Sequence, residues 1–137
     1  MFKWKDSFSV NVEALDQQHQ ELFKLAGSIY EIISIGDNVD RYDEIMKIIH
    51  ELKEYITYHF YYEENLLEEN NYPDFEKHKK EHQIFIEKVN SIDAKDVDEM
   101  QNKISTELIT FLTDWIENHI LKSDMAYGEF LNSKGVK

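Results

Sequence analysis

Four stretches of the sequence repeat apolar residues in alternating steps of three and four, and that spacing commits each stretch to one face of an α-helix. The first reads Leu15, His19, Leu22, Ala26, Ile29, Ile33, and the second Ile49, Leu52, Ile56, His59, Glu63, Leu66. The third reads Phe75, His78, His82, Phe85, Val89, Ile92, and the fourth Ile104, Leu108, Leu112, Trp115, His119. Helix boundaries follow from the flanking residues, giving helices over about 12–35, 41–69, 74–91 and 97–124. Asn11 is the expected N-cap of the first and Gly36 its stop, and Asn70-Asn-Tyr-Pro73 breaks the second. Short connections make successive helices antiparallel neighbours. The expected fold is therefore all-α, an up-down-up-down four-helix bundle in a single domain over 1–137, with Trp4, Phe8 and Val10 as an arm lying on it. One Pro and four Gly in 137 residues are too few breakers for a fold of many short strands.

Bulk properties exclude several functions. A net charge of −13 leaves no basic stripe for nucleic acid or an anionic membrane surface. The absence of Cys removes disulfides, zinc ribbons, iron–sulfur clusters and thiol catalysis. No run of 18 apolar residues offers a membrane span. The start, Met1-Phe-Lys-Trp-Lys-Asp, lacks a signal-peptide core, so the cytoplasm is the expected compartment.

The seams carry the anomaly. Five of the six His residues lie in them, and every helix contributes. One buried His is ordinarily a hydrogen-bonded core residue. Five converging on one interior each need a partner in a dry environment, and a shared metal serves them together. His59-Phe-Tyr-Tyr-Glu63 and His78-Lys-Lys-Glu-His82 are i, i+4 pairs on single faces. His119 and Asp124 are five apart, and on an ideal α-helix they diverge by about 140°. A widened turn or the helix end must bring them together.

Coordination arithmetic points to two metals. Five imidazoles give five bonds, and two carboxylates that each bridge give four more. A bridging oxide or hydroxide adds two, which leaves one of twelve octahedral positions for a small external ligand. Mixed imidazole and carboxylate donors suit iron, whereas a single zinc would use only three or four of these seven residues.

These residues resemble the hemerythrin family, in particular its single-domain bacterial members. The likeness runs from the Trp4 arm through Leu15-Asp-Gln-Gln-His19, His59-Phe-Tyr-Tyr-Glu63-Glu64, Tyr72-Pro73 and His78…His82 to Trp115-Ile-Glu-Asn-His119-Ile and Asp124. The up-down bundle example of myohemerythrin belongs to the same family. The resemblance implies two iron ions per chain with a bridging oxo or hydroxo group. It assigns His78, His82 and His119 to one iron, His19 and His59 to the other, and Glu63 and Asp124 to the bridge. It implies reversible dioxygen binding, end-on at the two-histidine iron, by a protein that is not an enzyme. Ile116, with Trp115 and Phe60, would line the oxygen pocket.

Two other readings use the same centre: an oxygen sensor acting through a protein partner, and a di-iron oxidase or nitric-oxide-handling enzyme. The remaining polar residues read as ordinary. His50 lies off the seam, Glu64, Glu68 and Glu69 form a solvated helix end, with a supporting role open to one of them, and Tyr55, Tyr58, Tyr61 and Tyr62 ring the second helix as packing or surface residues. Gln17 and Gln18, next to His19, could orient a ligand, but are expected to be exposed.

Overall fold

The computed structural model describes residues 3–34, 40–92, 97 and 101–137. A 3-10 turn at Asp6–Phe8 precedes α1 (Glu13–Ser34), α2 (Tyr42–Glu69), α3 (Phe75–Asn90) and α4 (Gln101–Trp115). A π-helical stretch, Ile116–Asp124, runs on from α4 and passes into α5 (Met125–Ser133). The fourth rod thus continues beyond Asp124, where the sequence had suggested an end. α1 packs against α2 and α4, and α2 packs against α3. The fold is the expected all-α four-helix bundle. Gly36 and the turn at 36–39 lie outside the described residues, as do the side chain of Ile33 and the residues directly after Val97.

Both ends of the bundle rest on local devices. The arm is held by three rings: Trp4 meets Phe8 at 5.8 Å and Phe23 at 5.5 Å, and Phe8 meets Phe23 at 5.4 Å. Asn11 does not cap α1. Its φ of 59° is left-handed, a conformation Asn tolerates, and it turns the arm into the helix. Asp16 then ties the arm down by accepting the Val10 amide at 2.8 Å and the Ser9 hydroxyl at 2.5 Å. The arm also touches α5. A Cβ on Gly128 would stand 2.6 Å from the carbonyl oxygen of Val10, so only glycine lets these backbones approach. α2 ends at Glu69, four residues before Pro73. Asn71, at φ 56°, lets its own amide reach Glu68 O at 3.1 Å and the Tyr72 amide reach Leu67 O at 3.0 Å, the Schellman pattern.

The core is split in two. One apolar cluster contains Leu22, Ile56, Phe60, Phe85, Leu112 and Ile120, among others. A smaller one at the other end joins Val10, Val12, Leu15, Leu67, Tyr127 and Leu131. On α1, α2 and the fourth rod, the buried polar residues stand in the sequence between members of the two clusters. A polar layer therefore crosses the bundle between two apolar ones. Among the described residues, no helix is long and apolar enough to cross a membrane.

Candidate metal centre

The layer contains His19, His59, Glu63, His78, His82, His119 and Asp124, each at most 4% exposed. α1 supplies His19, α2 supplies His59 and Glu63, α3 supplies His78 and His82, and the π stretch supplies the last two. Its hydrogen bonding resolves the spacing problem of His119 and Asp124. A π-helix bonds i to i+5, so five residues make about one turn instead of overshooting it. As a result His119 Nε2 stands 2.9 Å from Asp124 Oδ1.

The two carboxylates each face two ways. Glu63 Oε1 lies 2.5 Å from His78 Nε2 and 3.1 Å from His82 Nε2, while its Oε2 lies 3.1 Å from His59 Nε2 and 3.6 Å from His19 Nε2. Asp124 Oδ1 lies 3.1 Å from His78 Nε2 as well as near His119, while Oδ2 lies 3.1 Å from His19 Nε2. Donor atoms cluster accordingly into Glu63, His78, His82 and His119 on one side and His19, His59 and Glu63 on the other.

The donor atoms fit metal better than they fit one another. His19 Nε2, His82 Nε2, His119 Nε2 and both oxygens of Asp124 are fully buried and make no hydrogen bond, despite their short separations. Buried polar atoms are rarely left this way. Ligand atoms about 2.1 Å from one metal at right angles lie about 3 Å apart, the spacing found here.

Groups behind the layer hold it in place. Gln18, only 7% exposed, takes His59 Nδ1–H on its Oε1 at 2.6 Å. This corrects the expectation that it is exposed; Gln17 is indeed exposed. Glu81 Oε2 receives His119 Nδ1–H at 3.1 Å, and its Oε1 receives the Ser123 hydroxyl at 3.2 Å. Tyr127 donates to Glu63 Oε2 at 2.9 Å. Sequence reasoning missed Glu81 and Tyr127. Phe60 stacks on His82 at 3.9 Å and Trp115 on His119 at 4.1 Å. Ile116 is buried next to Trp115 in the larger cluster. His50 is exposed and pairs with Glu54 on the surface, as expected, and Tyr58, Tyr61 and Tyr62 are exposed. Tyr55 instead donates to the Gln18 carbonyl at 2.8 Å, its ring parallel to that of His59.

Electrostatics of the metal-free layer follow from burial and pairing. Burial works against charging His19 and His78, but the carboxylates of Asp124 and Glu63 close beside them outweigh it and raise their pKa values to about 9 and about 10. His59 goes the other way, because burial outweighs its attraction to Glu63. Burial pushes both carboxyls up, yet the imidazoles around them hold both below the ordinary range. Burial, with the charges of Asp124 and Glu63, pushes Tyr127 well above its usual pKa, so it stays a donor. His19 and His78 bind protons more tightly when folded. Their contribution to stability is complete below pH 6.5 and is lost as pH rises through about 9 and 10. The thermal midpoint of the metal-free protein should therefore fall across that window. Ligation needs neutral imidazole, so metal loading should release protons and flatten the fall. Melting curves at a series of pH values, with and without metal, check both; a midpoint constant from pH 6.5 to 10 in the metal-free protein would refute the assignment of these charges.

Known proteins resemble this chain along most of its length. The family profile described as "Hemerythrin HHE cation binding domain" matches residues 10–131. A bacteriohemerythrin of Clostridium acetobutylicum is 42% identical over 93% of this chain and 98% of its own length. A myohemerythrin of Theromyzon tessulatum is 27% identical over 92% of this chain and 90% of its own. Crystal structures of hemerythrin variants superpose with a TM-score of 0.73 at 26% identity, covering 93% of this chain and 94% of theirs. With its model matching nearly the full length and a relative this similar end to end, the chain belongs to the hemerythrin family.

Proposed function

We propose that this chain holds two iron ions across Glu63 and Asp124 and binds dioxygen reversibly, as an oxygen carrier, store or delivery protein. The observation that carries the reading is the division of each carboxylate, one oxygen toward the His78 side and the other toward the His19 side. His78, His82 and His119 would hold one iron, and His19 and His59 the other. When bound, the iron pair supplies the reversible two-electron chemistry that dioxygen binding requires. The two-histidine half is one protein donor short of its neighbour, which marks it as the half where a small external ligand enters. Phe60 and Trp115 fix the rings they stack on and exclude water. Tyr127, held on Glu63, orients the bridge. Beyond the ligands, Glu81 and Glu64 approach the layer at outer histidine nitrogens and not from within it, which favours a carrier over an oxidase.

The test is an optical spectrum of the reduced, iron-loaded protein before, during and after exposure to dioxygen. Recovery of the diferrous spectrum when dioxygen is removed is the expected result. Consumption of dioxygen without recovery would overturn the reading in favour of an enzyme.

Ile116 is the pocket residue under this reading, three residues before His119. Its aliphatic side chain keeps water away and offers no proton. Ile116→Ala should retain two irons and autoxidise several-fold faster than the parent. Were Ile116 packing alone, the fold would lose roughly 2–5 kcal/mol and autoxidation would not change. Autoxidation rate and thermal midpoint, measured together, separate these outcomes.

A further inference from the structure

The outward nitrogens of the histidine rings meet different chemistry on the two sides of the layer. On the three-histidine side the groups nearest the outer nitrogens are carboxylates. Glu81 accepts from His119 Nδ1 at 3.1 Å, and Glu64 Oε2 stands 3.5 Å from His82 Nδ1, close but without a hydrogen bond. On the two-histidine side no carboxylate meets an outer nitrogen among the described residues. His59 Nδ1 donates to the amide oxygen of Gln18 at 2.6 Å, and His19 Nδ1 has no hydrogen-bond partner.

Gln18 is itself held. It is buried, on α1, one residue before His19. Its backbone carbonyl takes the Tyr55 hydroxyl at 2.8 Å, and the Tyr55 ring lies within 8° of parallel to His59. A carbonyl oxygen can only accept, so it fixes the proton of His59 on Nδ1 and frees the Nε2 lone pair to face the layer. A carboxylate behind an imidazole draws that proton toward itself and strengthens the ring as a donor, whereas a neutral amide does so less.

We propose that Gln18 is a positioning residue that locks the His59 tautomer and keeps the two-histidine half the weaker donor set, so that the half open to an external ligand favours iron(II) more than the carboxylate-backed half does. The inference rests on the di-iron reading above. It assigns Gln18 and Glu81 opposite electronic roles although both merely accept a hydrogen bond.

Two experiments test it. In the metal-free protein, long-range proton–nitrogen NMR should find His59 as the Nδ1–H tautomer, and Gln18→Leu should lose that preference. In the iron-loaded protein, Gln18→Glu keeps the hydrogen bond and adds the charge. It should retain two irons, lower the reduction potential and raise the autoxidation rate several-fold, because a charged group behind the ring makes it a stronger donor. Glu81→Gln should move the potential the opposite way. The proposal is overturned if Gln18→Leu leaves the tautomer unchanged, if Gln18→Glu keeps the parent's potential, or if the two charge changes shift it in the same direction. Failure of the di-iron reading itself looks different: the unaltered protein would not take up two irons.

Discussion

Glu63→Ala is expected to lose both metal ions, whereas Glu64→Ala should keep two. Glu63 is the one residue shared by the two donor clusters. Its oxygens approach four of the five histidines, and it also takes the Tyr127 hydroxyl. Removing it takes a ligand from each metal at once. It also leaves like-charged ions less neutralised in a dry interior and strands a buried phenol. Breaking a buried charge cluster by deleting one partner costs about 3–5 kcal/mol even before metal is considered, so the metal-free variant should melt lower as well. Glu64 is rotated about 100° from Glu63 around α2. It is half-buried and approaches only the outer nitrogen of His82. Iron per chain after loading and desalting decides the matter. Equal loss from the two variants would place the wrong carboxylate in the layer.

The π stretch should make the fourth rod respond unequally to one residue more and one residue fewer. In an ordinary α-helix either change rotates everything downstream by about 100°. Between His119 and Asp124 the chain already carries one residue beyond the α-helical turn. Deleting the exposed Lys122 leaves Asp124 four residues from His119, which an α-helix keeps on one face. That variant is expected to fold and to bind metal. Inserting an Ala after Lys122 puts them six positions apart, more than a π turn absorbs. Asp124 would leave the layer, Tyr127 would leave Glu63, and Leu131 would rotate out of the smaller core. Loss of metal and a large fall in the thermal midpoint are expected. Metal content and melting of the two variants form the test, and equal damage from both would mean that the wide turn is not what sets the register.

The seams made the bundle and the polar layer legible because a ligand on a helix must share the face that packs. Three ring stacks and the seat of the arm on Phe23 needed tertiary structure. So did the choice between adjacent leucines: Leu67, not Leu66, is the fully buried one, because a step of four from Glu63 was as admissible as a step of three. Gln18 escaped because a polar residue beside a seam is ordinarily solvated. Its own spacing, four before Leu22 and seven before Leu25, was the available signal. Tyr127 and Leu131 continue the fourth seam in steps of three and four from Asp124, and were missed because the helix was ended at its last ligand. The wide turn itself left a trace. Lys122 and Ser123 occupy the positions an α-helical seam would use next, and neither belongs in a core.

The division of donors between two clusters also has an order in time. Every member of the smaller cluster, His19, His59 and Glu63, lies in the first 63 residues and on the α1–α2 hairpin. The larger cluster borrows Glu63 and closes only with His119. A chain emerging from the ribosome therefore exposes a three-donor half-site many residues before its neighbour exists. All of α3 and the π stretch must follow before His78, His82, His119 and Asp124 can join it.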